Sequence, residues 1–243
     1  MKGSGTFEEA KSHKAKISAI KYTGIEDNEH LANIVLTASE DKTIKLWDRR
    51  YGHVVGELNY QNQPFFSIDT NKSMICAGTN SEMIFWDLKK MKMIQAYQSS
   101  HTDDVTAVRF HPTNPNWLIS CSTDNLLCHF NFEGKATKTE EDTLEGVYSS
   151  EQPLIDCGFF KDDLIWAQTS INTVEMITVQ DQDMYSKITK FPHQVEYVIG
   201  CGSDKWGGDD KFVIYGGNNQ GEVYIYEMTG KNEVTLVDMI MLG

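Results

Sequence analysis

Residues 37–48, TASEDKTIKLWD, and residues 77–87, AGTNSEMIFWD, decide the fold. Each opens on small residues, turns through polar ones, and closes on an alternating run that ends in Trp-Asp. The two tryptophans, Trp47 and Trp86, stand 39 residues apart. Outward from this pair the pattern returns. In residues 120–131, SCSTDNLLCHFN, Phe130 and Asn131 fall in the same frame 44 residues on. In residues 216–227, GGNNQGEVYIYE, Tyr226 and Glu227 fall in it again, 96 residues after Phe130. A weaker unit, AQTSINTVEMITV at 167–179, fills that interval near its midpoint. A period of about 40–45 residues is that of a four-stranded propeller blade.

Between these anchors the chain reads as short strands and turns. In the first unit 17–22 alternates, 33–38 is a buried-looking run, 43–47 alternates again, and 53–58 makes a fourth strand. The third unit gives 105–110, 117–121 and 126–130; the fifth gives 212–216 and 223–226 across NNQG, a hairpin signal. No long amphipathic helical window interrupts them, and the fold class is all-β. The expectation is one domain over 1–243, with units at 13–60, 61–98, 101–135, 150–190 and 194–243.

Composition narrows the function. A net charge of −13 repels a phosphate backbone and argues against nucleic acid as the main ligand. Lys89, Lys90 and Lys92 follow a predicted strand and read as a solvated turn. The acidic balance suits a basic protein partner, and equally suits solubility. Cys76, Cys121, Cys128, Cys157 and Cys201 are odd in number and form no CxxC pair, so neither a disulfide framework nor a zinc site is indicated. Reduced thiols, a polar N-terminal stretch and the lack of any apolar run near 18 residues point to the cytoplasm or nucleus, with no membrane span.

The units resemble the WD40-repeat family: a His in the loop leading into the blade, a small residue on the second strand, Asp in the next turn, Trp-Asp on the third strand. His13, Thr37, Asp41, Trp47 and Asp48 supply it in the first unit. His101, Ser120 and Asp124 supply it in the third, where Phe130 and Asn131 replace Trp-Asp. Such a set is a polar relay whose members satisfy one another inside a blade. Phe130 lacks the donor N–H, so the third relay should be shorter. Asn80 and Gln220 stand where Asp belongs in the second and fifth units, which show no matching His and must rely on packing. The stretch at 99–127 and its flanking blades resemble one subfamily whose members are longer. The resemblance implies an open or truncated part of a larger, seven-bladed ring, with a tight five-bladed ring as the alternative, and a non-catalytic scaffold for other proteins, with no cofactor.

In this family peptides are commonly gripped at the upper rim. The matching positions here are Glu40 and Thr123, each just before its turn Asp, and Asp103 in the loop before the third blade. Two of the three are acidic, which favours a Lys/Arg-rich ligand. Trp206, between glycines and Asp204, Asp209 and Asp210, reads as an exposed partner contact rather than part of a calcium loop, because no closing Glu follows. His101, Asp103 and Asp104 make a poor metal cluster, since neighbours on an extended segment point to opposite faces. The run at 139–145, TEEDTLE, reads as a mobile acidic connector between the third and fourth units. Two rival functions follow. A reader of basic or modified tails needs clustered aromatics at one rim, yet Trp117 and Trp206 fall towards the other. An enzyme at the channel mouth needs a nucleophile with an exposed hydroxyl beside its base, and Thr37 is placed to face a buried indole.

Overall fold

The computed structural model describes residues 12–24, 31–134, 139–204 and 210–242. Its strands form five four-stranded antiparallel sheets. The first holds β1 (Ile17–Tyr22), β2 (Ile34–Ser39), β3 (Ile44–Asp48) and β4 (His53–Leu58) in sequential order. The second holds β5 (Ser67–Thr70), β6 (Met74–Gly78), β7 (Met83–Asp87) and β8 (Lys92–Tyr97). The third takes β9 (Val105–Phe110), β10 (Trp117–Ser122) and β11 (Leu126–Asn131), then a one-turn helix α1 (Glu140–Thr143), then β12 (Leu144–Ser149). The fourth is β13 (Leu154–Phe160), β14 (Leu164–Thr169), β15 (Val174–Thr178) and β16 (Met184–Ile188). The fifth is β17 (Tyr197–Asp204), β18 (Lys211–Gly217), β19 (Glu222–Gly230) and β20 (Glu233–Met241).

Alternation explains the stacking. On β2, Ile34, Leu36 and Ala38 point one way, and with Ile44 and Leu46 of β3 they pack on Ile75, Ala77 and Trp86 of the second sheet and on Phe65 just before it. Three further clusters of the same kind fill the second-to-third, third-to-fourth and fourth-to-fifth gaps. Each sheet hides one face only against its neighbour, as stacked repeats must. The inner strands β1, β5, β9, β13 and β17 converge on a central cavity of about 340 Å³. Among the described residues, packing runs from the first sheet to the fifth without comparable contact between the fifth and the first. The uncovered inner strands leave Ile20 67% and Ile199 53% exposed.

Two expectations need correction. The third blade does not end near 135: β12 is its fourth strand, paired with β11 through Leu127↔Tyr148 and Cys128↔Val147. The acidic run 139–145 therefore lies inside that blade rather than between blades. Part of it is a capped helical turn, not a solvated connector. The Thr139 hydroxyl accepts from the Asp142 amide while the Asp142 carboxylate accepts from the Thr139 amide, a reciprocal cap that holds the turn.

Candidate functional site

The first blade brings His13, Thr37, Asp41 and Trp47 into one hydrogen-bonded string. Trp47 Nε1 donates to Thr37 Oγ1 at 2.8 Å. Thr37 Oγ1 and His13 Nε2 are 2.6 Å apart, and His13 Nδ1 and Asp41 Oδ2 are 2.9 Å apart. One proton order satisfies all four groups: the indole donates to the hydroxyl, the hydroxyl to Nε2, and Nδ1–H to the carboxylate. Burial by itself would push the Asp41 carboxyl up, but Thr43, the Lys14 amide and His13 together hold it well below the usual carboxylate range.

The third blade repeats the string one member short. His101 Nδ1 meets Asp124 Oδ2 at 3.0 Å, and its Nε2 meets Ser120 Oγ at 2.7 Å. Phe130, fully buried, has no N–H to continue it. Burial again opposes ionisation of Asp124, and His101 with the Thr102 and Leu126 amides overcomes it, leaving the carboxyl lowered. In both strings the hydroxyl is engaged by the imidazole, and in the first also by the indole.

The fifth blade corrects the expectation of no matching His. His193 lies in the loop leading into the blade, its ring stacked on Tyr224 at 5.1 Å, with Nδ1 3.3 Å from the Tyr226 hydroxyl. Gly216, facing Tyr224 across the strands, offers no hydroxyl, and Val195 fills the space a Cβ would need. Tyr226 reaches the imidazole directly instead. The spacing carried the signal: 33 residues separate His193 from Tyr226, against 34 from His13 to Trp47.

Of the four candidate contact residues, Glu40, Asp103, Thr123 and Trp206, the structure joins two. The Thr123 amide donates to the Asp104 carbonyl, and Ser122 Oγ donates to the Asp103 carbonyl. Asp103, Asp104 and Thr123 thus share one corner above the third blade. The Thr123 hydroxyl oxygen is buried there without a partner. Burial, then the neighbouring Asp103, raises the Asp104 carboxyl. Among the described residues neither aspartate has an ion-pair partner. Glu40 stands apart on the first blade, paired with Lys16 at 3.2 Å. Trp206 lies outside the described residues. Trp117, at the opposite end of the third blade, has its ring between His111 and His129, at 5.4 and 5.2 Å.

Two features escaped the sequence. Arg109 Nη2 pairs with Asp156 at 2.7 Å on the channel wall. Asp69 joins three blades: it takes the Lys21 ammonium at 2.6 Å from the first and the Phe110 amide at 2.7 Å from the third. Among the described residues no group of three or more His, Cys, Asp and Glu side chains is placed to hold a metal ion. No helix among them is long and apolar enough to cross a membrane.

Comparison with known proteins agrees with this geometry. The WD domain, G-beta repeat family matches residues 5–48 and 92–131, the segments that hold the two His–Asp strings. The chain is 30% identical over 89% of its length to the WD repeat-containing protein 89 homolog of Dictyostelium discoideum, covering 60% of that protein. It is 28% identical over 93% of its length to the WD repeat-containing protein GTS1 of Arabidopsis thaliana, covering 59% of it. Against the histone acetyltransferase type B subunit 2 of Candida glabrata it is 27% identical over 58% of its length, covering 32% of it. The chain thus spans about three fifths of the length of the first two relatives.

Proposed function

We propose that this chain, whose residues 5–48 and 92–131 match the WD domain, G-beta repeat family, is a non-catalytic platform, one domain over its length, that grips a basic segment of a partner protein at the upper mouth of its channel. WD-repeat proteins generally act as scaffolds for other proteins. One relative is by name a subunit of a histone acetyltransferase, which is in keeping with an adaptor inside a larger complex.

The observation that carries the reading is the corner formed by Asp103, Asp104 and Thr123. Among the described residues the two adjacent carboxylates have no counter-cation, and one of them is partly desolvated. An arriving Lys or Arg would offset the repulsion that Asp103 exerts on Asp104 and favour the ionised form of the Asp104 carboxyl, whichever of the two side chains it pairs with. The buried Thr123 hydroxyl offers a further polar group at the same place. The His–Asp strings serve the blades rather than a substrate, since their hydroxyls are already engaged. Reduced thiols, four of them buried, suit the cytoplasm or nucleus.

The test is a titration of a fluorescent Lys/Arg-rich peptide against the wild-type chain and a variant carrying Asp103→Lys and Asp104→Lys. Reversal should weaken binding by tenfold or more, about 1.4 kcal/mol. Added salt should weaken wild-type binding in the same direction. Equal affinities for the two proteins would remove the rim from the account.

A further inference from the structure

The third blade joins its last two strands through residues 132–143, where the other blades use 49–52, 88–91, 179–183 and 231–232. Nothing in strand closure requires that length, since antiparallel neighbours can be joined by two residues. The described part of the connection reaches across to the link between the second and third blades. There the Glu140 carboxylate meets three consecutive backbone amides. The Gln98 amide donates to Oε2 at 2.8 Å, the Ser100 amide to Oε1 at 2.6 Å, and the Ser99 amide to Oε1 at 3.0 Å and Oε2 at 3.1 Å. The Ser100 hydroxyl also donates to Oε1. Successive amides converging in this way form an anion receptor, and charge-assisted bonds are the stronger class.

We infer that the Gln98–Ser100 amides are an acid-binding site whose resident ligand, Glu140, is exchangeable, and that the site takes a Glu or Asp side chain from an acidic segment of a partner protein. The receptor is complementary to a carboxylate in number and direction of donors, as its present occupant demonstrates. That occupant rides on a single helical turn, which has little stability of its own. Below it, Thr143 Oγ1 donates to the Tyr97 hydroxyl at 2.8 Å in a fully buried contact, so the base of the connection stays fixed when Glu140 lifts. A tethered ligand competes at high effective concentration, so a partner must bring additional contacts to displace it. The exposed Gln98 and Ser99 side chains beside the amides leave room for them. This site is separate from the rim aspartates and of opposite preference: one receives cations, the other carboxylates.

The experiment uses the full chain as wild type, Glu140→Ala and Glu141→Ala, the last altering an exposed neighbour. The probe is the capped hexapeptide TEEDTL, the chain's own residues 139–144, with TQEDTL as control. Binding is read by calorimetry and by shifts of the Ser99 and Ser100 amide resonances. Glu140→Ala should bind TEEDTL at least tenfold more tightly than wild type or Glu141→Ala, and TQEDTL at least tenfold more weakly than TEEDTL. Equal binding of both peptides, no binding, or binding of inorganic phosphate alone would overturn the inference. Should Glu140→Ala fail to fold, Glu140→Gln replaces it, keeping the shape and losing the charge. Failure of both to fold would make Glu140 an indispensable strut and end the exchangeable reading.

Discussion

Thr37 Oγ1 serves two rings at once, 2.6 Å from His13 Nε2 and 2.8 Å from Trp47 Nε1. Replacing it by Val keeps the volume and leaves both nitrogens without a partner. A buried polar group stripped of its bond costs about 1–3 kcal/mol, so Thr37→Val should lower the unfolding free energy by that order and move the midpoint of chemical unfolding down in proportion. Ser120→Ala strands a single imidazole nitrogen, because Phe130 asks nothing of the hydroxyl, and should cost less. A denaturation series on both variants checks the order; a larger loss for Ser120→Ala would contradict it. These side chains could be picked from the sequence because each occupies a fixed offset in the repeat. His193 could have been picked in the same way, but its blade substitutes Gly216 and Tyr226 for the usual hydroxyl and indole, so the motif was not recognisable by residue type. Arg109–Asp156 and Lys21–Asp69 were out of reach, since their distances are set by how blades pack and not by any spacing along the chain.

At the scale of elements, an outer strand such as β4 alternates in burial while inner ones such as β2 and β10 are buried on both faces and read as short apolar runs, and the boundaries of β1, β4 and β9 match the expected strands residue for residue. The acidic stretch before β12 was misjudged because composition registers charge and not the amides that receive it. The packing of the third blade on the fourth holds a second unadvertised feature. His111 and His129 are buried on either side of Trp117; among the described residues, both nitrogens of His129 and Nε2 of His111 lack hydrogen-bond partners. Burial lowers both imidazoles; Asp162, 3.8 Å from His111 and mostly exposed, and Glu145 near His129 oppose it only in part. The folded chain therefore favours neutral rings. The unfolded chain takes up more protons as pH falls below the ordinary histidine value of about 6.5. Stability should be intact above that value and decline as pH drops through it towards the lowered folded values. His129→Leu removes a ring with nothing bonded to it and should keep its unfolding midpoint more nearly constant between neutral and mildly acidic buffer than wild type does. Parallel curves for the two proteins would show that the pair does not titrate on unfolding.

For the whole molecule, stability should follow position in the array. The second, third and fourth blades are each covered on both faces by described neighbours, and their centres hold residues of zero exposure such as Phe85, Leu118 and Ile165. The first and fifth blades are each covered by a described neighbour on one face. On the first, the face bearing Thr37 and Trp47 leaves Ile20 and Tyr22 exposed. On the fifth, Ile199 and Ile240 are exposed, and Gly200 and Gly202 border open space. In a stacked array each unit draws its stability from its own packing and from its interfaces, so a unit with one interface opens more readily than a unit with two. Native-state hydrogen exchange should resolve this as a gradient. Amides of β6, β10 and β14, central in the covered blades, should be protected nearly to the global unfolding free energy. Those of β2 and β18, equally central in their own sheets, should exchange faster by a factor that grows as denaturant is withdrawn. Matched protection across all five blades would mean that the outer faces are covered in solution by something beyond the described sheets, and sedimentation of the same sample would then show whether a second copy supplies it.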